Sequence, residues 1–269
     1  MFMLYKDLKI LYWIAILLIG VPVGIYGAWK ENFVLILIAV LVVPFVSVVI
    51  LSIIGNNRFN NLNKIRETNC NIAEFYNGLT ELLSKCKNPK KLNPQILNAF
   101  NLNIAVAFID MGRYQDALNI LMGIAPQSFG KGFTGAQGRA VLFNNLAFAY
   151  IGLGDLESAE KLLVEMKKAI DDPKLKNMDK IKNQLFDLYT GKKMLIQIEK
   201  GNFEGAEQIF LMLLEKADNN MHQVYVSYNL ARIYLNGGNT EKAKRYVDFV
   251  MQYGGDTVYK TELAKLLNL

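Results

Sequence analysis

The sequence predicts an all-α protein in two parts: two transmembrane helices followed by a helical-repeat solenoid. Three observations carry this prediction. The excess hydrophobicity of the 269-residue chain is concentrated before Gly55. From Gln95 onward apolar residues recur at helical spacing without sustained strand alternation. A set of small, aromatic and glycine residues then returns at matched offsets through that second part.

The first part comes as two uncharged runs, one between Lys9 and Lys30 and one between Glu31 and Arg58. Each reaches the ~20 residues that a helix needs to cross the hydrocarbon core. A cleaved signal peptide is the competing reading, since Lys6 and Lys9 resemble a basic leader. The run outlasts an ordinary leader, no A-x-A-like site follows, and a second apolar segment begins at once. Only Lys30, Glu31 and Asn32 separate the runs, so residues 1–55 are predicted to form a tight hairpin with spans at 10–29 and 33–54. Gly20, Gly24 and Ala28 recur every fourth residue and predict a small face for close helix packing. Packing on the second span is preferred over homodimerisation, because the short turn already forces that contact. Pro22 and Pro44 are tolerated as kinks. Neither span carries Asp, Glu, Lys, Arg or His, which argues against a transporter or channel built in this hairpin.

Lys6 and Lys9 precede the hairpin and Arg58, Lys64 and Arg66 follow it, against Lys30 alone in the turn. The bias of positive residues toward the cytoplasm predicts a multi-pass protein of the cell membrane with its N-terminus and repeat domain cytoplasmic. Cys70 and Cys86 fall in what reads as one helix, about 24 Å apart at 1.5 Å per residue, too far for a disulfide. The net charge of +6 suits contact with anionic lipid headgroups. The lysines are dispersed and no nucleic-acid motif accompanies them, so nucleic acid is not expected as a partner. Abundant Asn and Lys with a single His suggest a bacterial, A+T-rich source by composition.

Residues 56–93 read as a juxtamembrane amphipathic helix and linker. Leu62, Ile65, Asn69, Ile72, Tyr76, Leu79, Leu83 and Cys86 follow heptad spacing, which admits a coiled-coil dimer. Phe75 and Leu82 widen the stripe and favour a helix packed on the following domain instead. Pro89 to Pro94 close that segment.

The repeat region, 94–269, carries three copies of one pattern: Ala105, Phe108, Gly112, Tyr114, Ala117 and Leu121; Ala147, Tyr150, Gly154, Leu156, Ala159 and Leu163; Ala231, Tyr234, Gly238, Thr240, Ala243 and Val247. A degenerate copy has Gly201, Phe203, Ala206, Phe210 and Leu213, with Met194 and Gln197 where the small residue and aromatic belong. These residues resemble the tetratricopeptide repeat, in which two antiparallel helices pack through small side chains and a glycine permits the turn between them. The glycines are 42, 47 and 37 residues apart, against the family's usual ~34, so loops or longer helices absorb the difference. Asp256 to Leu269 is expected to be a closing helix over the last repeat.

The resemblance implies a concave groove that holds a peptide or partner helix. It places Asn144, Asn145, Phe148, Tyr225, Tyr228, Asn229 and Arg232 near that groove. Asn amides suit peptide backbone, the aromatics suit anchors and Arg232 suits a carboxylate; packing between repeats is the competing role. The family's carboxylate-clamp pattern is not reproduced. Gly130, Gly132 and Gly135 match G-x-G-x-x-G but follow no strand. His222 is the only histidine and lacks metal-ligand partners at any known spacing. No catalytic residue, metal or cofactor is expected. The expected function is a membrane-tethered adaptor for a protein or peptide partner, including membrane-bound ones. The alternative is a structural subunit of a membrane complex, with homo-oligomers built on the hairpin and heptad helix.

Overall fold

The computed structural model describes residues 6–86 and 92–268, and the linker residues Pro89, Lys90 and Lys91 lie outside them. The described residues contain helices and no β-strand. Contacts divide the chain into two units, Met1–Asn63 with Gly78–Leu92 and Lys64–Asn77 with Asn93–Leu269.

In the first unit, α1 (Lys6–Ala15) and α2 (Val21–Trp29) are joined by a π turn at Ile16–Gly20. After a three-residue turn, α3 (Phe33–Leu37) and α4 (Val43–Asn69) are joined by a second π turn at Ile38–Val42, and the residues of α4 from Lys64 onward belong to the second unit. Each π turn ends two residues before a proline, Pro22 or Pro44. A proline has no N–H and its ring crowds the carbonyl four residues back, and a wider turn relieves both problems without breaking the helix. The two runs, Asp7–Trp29 and Phe33–Asn69, are long and apolar enough to cross a membrane, and only 11% of the apolar window in either is buried. A core helix of a soluble protein would be mostly buried, so this belt of exposed Ile, Leu, Val, Trp and Phe is not a protein core.

The hairpin packs through its small face. A Cβ on Gly24 would stand 3.4 Å from the Ala39 Cβ, and one on Gly27 would stand 2.8 Å from the Leu35 Cβ. Gly20 faces the Ala39 carbonyl and Val43. Ala28 is exposed, and the third small position is Gly27. A straight helix follows a stripe in steps of four and three, so two consecutive steps of four drift off the face. The small face is therefore used within the chain. Arg58 pairs with Asp7 at 2.7 Å at the open end of the hairpin, and Asn32 caps α3 at the closed end by accepting from Leu35 N at 3.2 Å.

The heptad segment is two helices. Helix α4 ends at Asn69, Cys70 takes a left-handed φ of 51°, and α5 runs from Ile72 to Ser84. Asp256 caps the new helix at the break: its carboxylate accepts from Ile72 N at 2.6 Å and Ala73 N at 2.9 Å, from the far end of the chain. Asp256 N in turn donates to Cys70 O at 3.2 Å. Asn69 is exposed, whereas Phe75 and Leu82, off the strict seam, are buried. The continuous coiled-coil seam is thus absent. Cys70 and Cys86 are free and buried, and burial pushes the Cys70 thiol up to about 11.

The second unit stacks four helix pairs: α6 (Pro94–Asp110) with α7 (Tyr114–Met122), α8 (Phe133–Gly152) with α9 (Leu156–Ile170), α10 (Asp179–Glu199) with α11 (Ala206–Glu215), and α12 (Asn220–Asn236) with α13 (Thr240–Tyr253). Helix α14 (Val258–Leu266) follows. Ala105, Ala117, Ala147, Ala159, Ala231 and Ala243 are buried where paired helices cross. Gly154 and Gly238 adopt φ of 79° and 69°, and the residue after each, Asp155 or Asn239, caps the second helix of its pair at 3.0 Å. The degenerate pair has a full first helix, α10, in which Gly191 supplies the close approach to Leu213. The G-x-G-x-x-G glycines form a turn and the start of α8: Arg139 donates to Gly130 O at 3.2 Å and bonds Asp172 at 3.0 Å, so the segment is tied by its own side chains.

Replacing Asp256 with Ala removes two charge-assisted bonds to the N-terminus of α5. It is expected to destabilise the second unit by about 1–2 kcal/mol, measured as a lower urea midpoint, with Asp256→Asn recovering part of the loss.

Candidate functional site

The first helices of the pairs carry the residues expected in the groove, and α14 changes what they face. Tyr259 lies between two rings of α12, 5.5 Å from Tyr225 and 5.4 Å from Tyr228. Its hydroxyl donates to Asp110 at 3.5 Å. The Tyr228 hydroxyl donates to Glu262 at 2.5 Å. Val258 sits against Gly112, where an added Cβ would come within 2.7 Å of it. Helix α14 therefore packs on the last pair and also reaches back to the first.

Asp110, 2% exposed, anchors this closure by accepting from Arg66 Nε at 2.7 Å. Burial pushes the Asp110 carboxyl up against the pull of Arg66. Burial also opposes the Arg66 charge, and Asp110 more than offsets it. Between α14 and the neighbouring helices remains a small cleft of about 160 Å³, lined by Phe148, Tyr225, Tyr228, Asn229 and Arg232 among others.

Most of the expected groove residues are committed within the chain. Asn144 and Asn145 are buried, and Asn144 Nδ2 donates to Asn145 Oδ1 at 3.0 Å. Asn229 is fully buried and donates to Tyr225 O at 2.9 Å. Arg232 meets a carboxylate of its own chain, Glu199, at 2.8 Å. Phe148 packs edge-on to Tyr225 with centroids 5.6 Å apart. Repeat register indicates which helix face a residue occupies, and α14 decides whether that face is free.

A larger open groove of about 850 Å³ lies alongside, formed by α8, α10, the end of α11 and α12. Of the expected residues only Tyr225 lines it. Its apolar side chains are Val141, Ile181, Leu185, Phe186, Leu188 and Leu213, with amides from Gln137, Asn183 and Gln184. Phe186 is 47% exposed, a large aromatic face left open to an occupant. Lys180, Lys216, Asp187, Asp218 and His222 bring charge to the lining, and Lys216 bonds Asp187 at 2.7 Å. Burial lowers the His222 pKa.

At the groove floor lies Lys192, which sequence reasoning missed. It is 4% exposed, donates to the Tyr225 hydroxyl at 3.2 Å and stands 3.8 Å from the centre of the Phe148 ring. Burial pushes its amine down to about 7, with the Asp110 charge opposing. The signal was present: Leu185, Tyr189, Lys192 and Leu195 follow steps of four and three, which places a lysine in an apolar stripe. Among the described residues, no group of three or more His, Cys, Asp and Glu side chains is placed to hold a metal ion.

The depressed amine has a stability consequence. An unfolded lysine keeps its proton to about 10.4, so below about 7 both states are protonated and the burial penalty is present in full. As pH rises from about 7 toward 10 the folded chain releases its proton first and the penalty is relieved. Lys192→Met should therefore stabilise the fold by roughly 2–4 kcal/mol at pH 6, and the gain should shrink toward pH 10 in denaturant titrations.

Compared with known families, the chain matches the one described as the SusR N-terminal TPR domain over residues 75–248. No curated protein and no solved structure matches the chain. Domains of the tetratricopeptide type are typically non-catalytic modules for protein–protein interaction. The family match spans well over half of the chain, from α5 through α13, and agrees with the stacked helix pairs: this chain belongs to the family of SusR N-terminal TPR domains.

Proposed function

We propose that the chain is a membrane-tethered scaffold that holds a peptide or partner helix in the groove between α8, α10 and α12. The open groove with its exposed Phe186 carries this reading. A solvent-exposed aromatic beside amides and an apolar floor is the composition of a surface that gains by being covered. The groove, rather than the cleft under α14, is the partner site in this reading, because the cleft holds the chain's own Tyr259 and Glu262. Of the residues expected from the sequence, Tyr225 remains a direct contact. Phe148 packs edge-on to it and Asn229 bonds its carbonyl, Tyr228 and Arg232 line the cleft under α14, and Asn144 and Asn145 serve packing.

The hairpin supplies the tether. Its two exposed apolar runs are each long enough to cross a bilayer core, which supports lipid as the medium that covers them. Lys9, Arg58 and Lys64 at the open end, against Lys30 at the turn, favour a cytoplasmic repeat domain, beside which anionic headgroups are within reach of exposed lysines. Tethering confines the groove to the membrane surface and raises its effective concentration toward membrane-bound partners.

A photoreactive amino acid at position 186 in intact cells should crosslink to protein. The same residue at exposed position 164, on α9, should give far less; equal yields at the two positions, or lipid alone at 186, would remove the reading. Cys70 should resist an impermeant maleimide in intact cells and react only after permeabilisation and denaturation, whereas labelling in denatured but sealed vesicles of right-side-out orientation would reverse the topology.

A further inference from the structure

Among the described residues, the groove floor carries a positive group without a matching negative one. The Lys192 amine is enclosed by the Phe148 and Tyr225 rings, at 3.8 and 4.5 Å from their centres, and hydrogen-bonds the Tyr225 hydroxyl rather than a carboxylate. Aromatic faces and a hydroxyl recover part of what water supplied to the ammonium. The neighbouring acids are engaged elsewhere. Asp110 holds Arg66 at 2.7 Å, Glu199 holds Arg232 at 2.8 Å, Asp187 holds Lys216 at 2.7 Å, and Asp218 accepts from Asn219 at 2.9 Å. Lys180 adds a further positive charge to the lining.

We propose that the groove selects a partner segment with an acidic side chain flanked by apolar residues, its carboxylate docking on the Lys192 amine and the Tyr225 hydroxyl. This rests on the groove being the partner site. A carboxylate delivered here meets two donors, the lysine ammonium and a hydroxyl freed to turn outward. In a water-poor site a charge-assisted bond is stronger than its exposed counterpart. The apolar flanks of the segment cover Phe186 and Leu188 on α10, and the anion supplies the partner that the folded chain does not. Selectivity then comes from charge: an uncharged segment of the same shape leaves the ammonium enclosed and unmatched, and a basic one adds repulsion.

The test uses the full chain in lipid nanodiscs and two probes of equal shape, 3-phenylpropionate and its neutral amide, 3-phenylpropanamide, titrated by calorimetry and ligand-observed NMR. The carboxylate should bind at least about tenfold more tightly, a ratio within the range of one charge-assisted hydrogen bond. That preference should vanish in Lys192→Met, weaken in Tyr225→Phe and survive in Lys180→Met, with thermal unfolding showing each variant folded. Equal binding of the two probes, a preference retained in Lys192→Met, no binding of either at millimolar concentration, or tighter binding of inorganic phosphate than of the carboxylate would each overturn the proposal. Crosslinks from position 186 separate the two readings. If they form while the carboxylate preference is absent, the anionic specificity falls and the partner groove stands; if neither is seen, both fall.

Discussion

A buried carboxylate at the end of α6 organises the repeat unit. Asp110 accepts from Arg66, 44 residues earlier, and from Tyr259, 149 residues later. A charge removed from water is stable only with its partners in place, and losing one leaves the other exposed to the full desolvation penalty. That requirement brings the end of α4 and the start of α14 to the same point on the first helix pair. Asp256 then caps α5, Tyr259 enters between Tyr225 and Tyr228, and Glu262 takes the Tyr228 hydroxyl. The array is thereby closed on the side that α14 covers, and an open groove remains between α8, α10 and α12.

The parts of this arrangement that were legible in the sequence are those set by neighbours along the chain. Ala147, Tyr150, Gly154 and Ala159 lie within one helix pair, so their spacing reports the turn and the crossing directly. The degenerate pair was readable in its second helix and obscure in its first, because Gly191 replaces the expected small residue one turn earlier than the register predicts. The break at Cys70 was not legible, since the cap that stabilises it comes from Asp256, 184 residues beyond Ile72 along the chain. Ala28 was misplaced for a local reason: a three-position stripe in a helix needs a step of three, and Gly27 meets it. The candidate partner surface was the least legible feature. Asn144, Asn145, Asn229 and Arg232 lie on groove-facing helices, yet their bonds to the rest of the chain follow from tertiary packing that repeat register does not encode.

Lys192 shows the reverse case, a residue whose meaning needed the structure and whose anomaly was visible without it. A lysine in an apolar stripe is either a stem lying on the core with its head in water or a buried amine. The enclosing rings of Phe148 and Tyr225 decide for the second, and they also place the amine at the base of the larger opening in the repeat unit. Helix α14 thus covers one side of the first helices, and beside it lies an amine that, among the described residues, bonds a hydroxyl rather than a carboxylate. The hairpin carries a second exposed apolar surface, in two runs long and apolar enough to cross a membrane.

Hydrogen exchange on a Tyr259→Ala variant is the decisive measurement of closure around Asp110. Amides of the last turns of α6, around Ala105 to Asp110, and of α12, from Tyr225 to Arg232, are expected to lose protection together, while those of α8 and α9 keep theirs. Loss of protection confined to α14 and α13 would contradict the closure, showing a terminal helix that shields its neighbour without joining the first pair to the last.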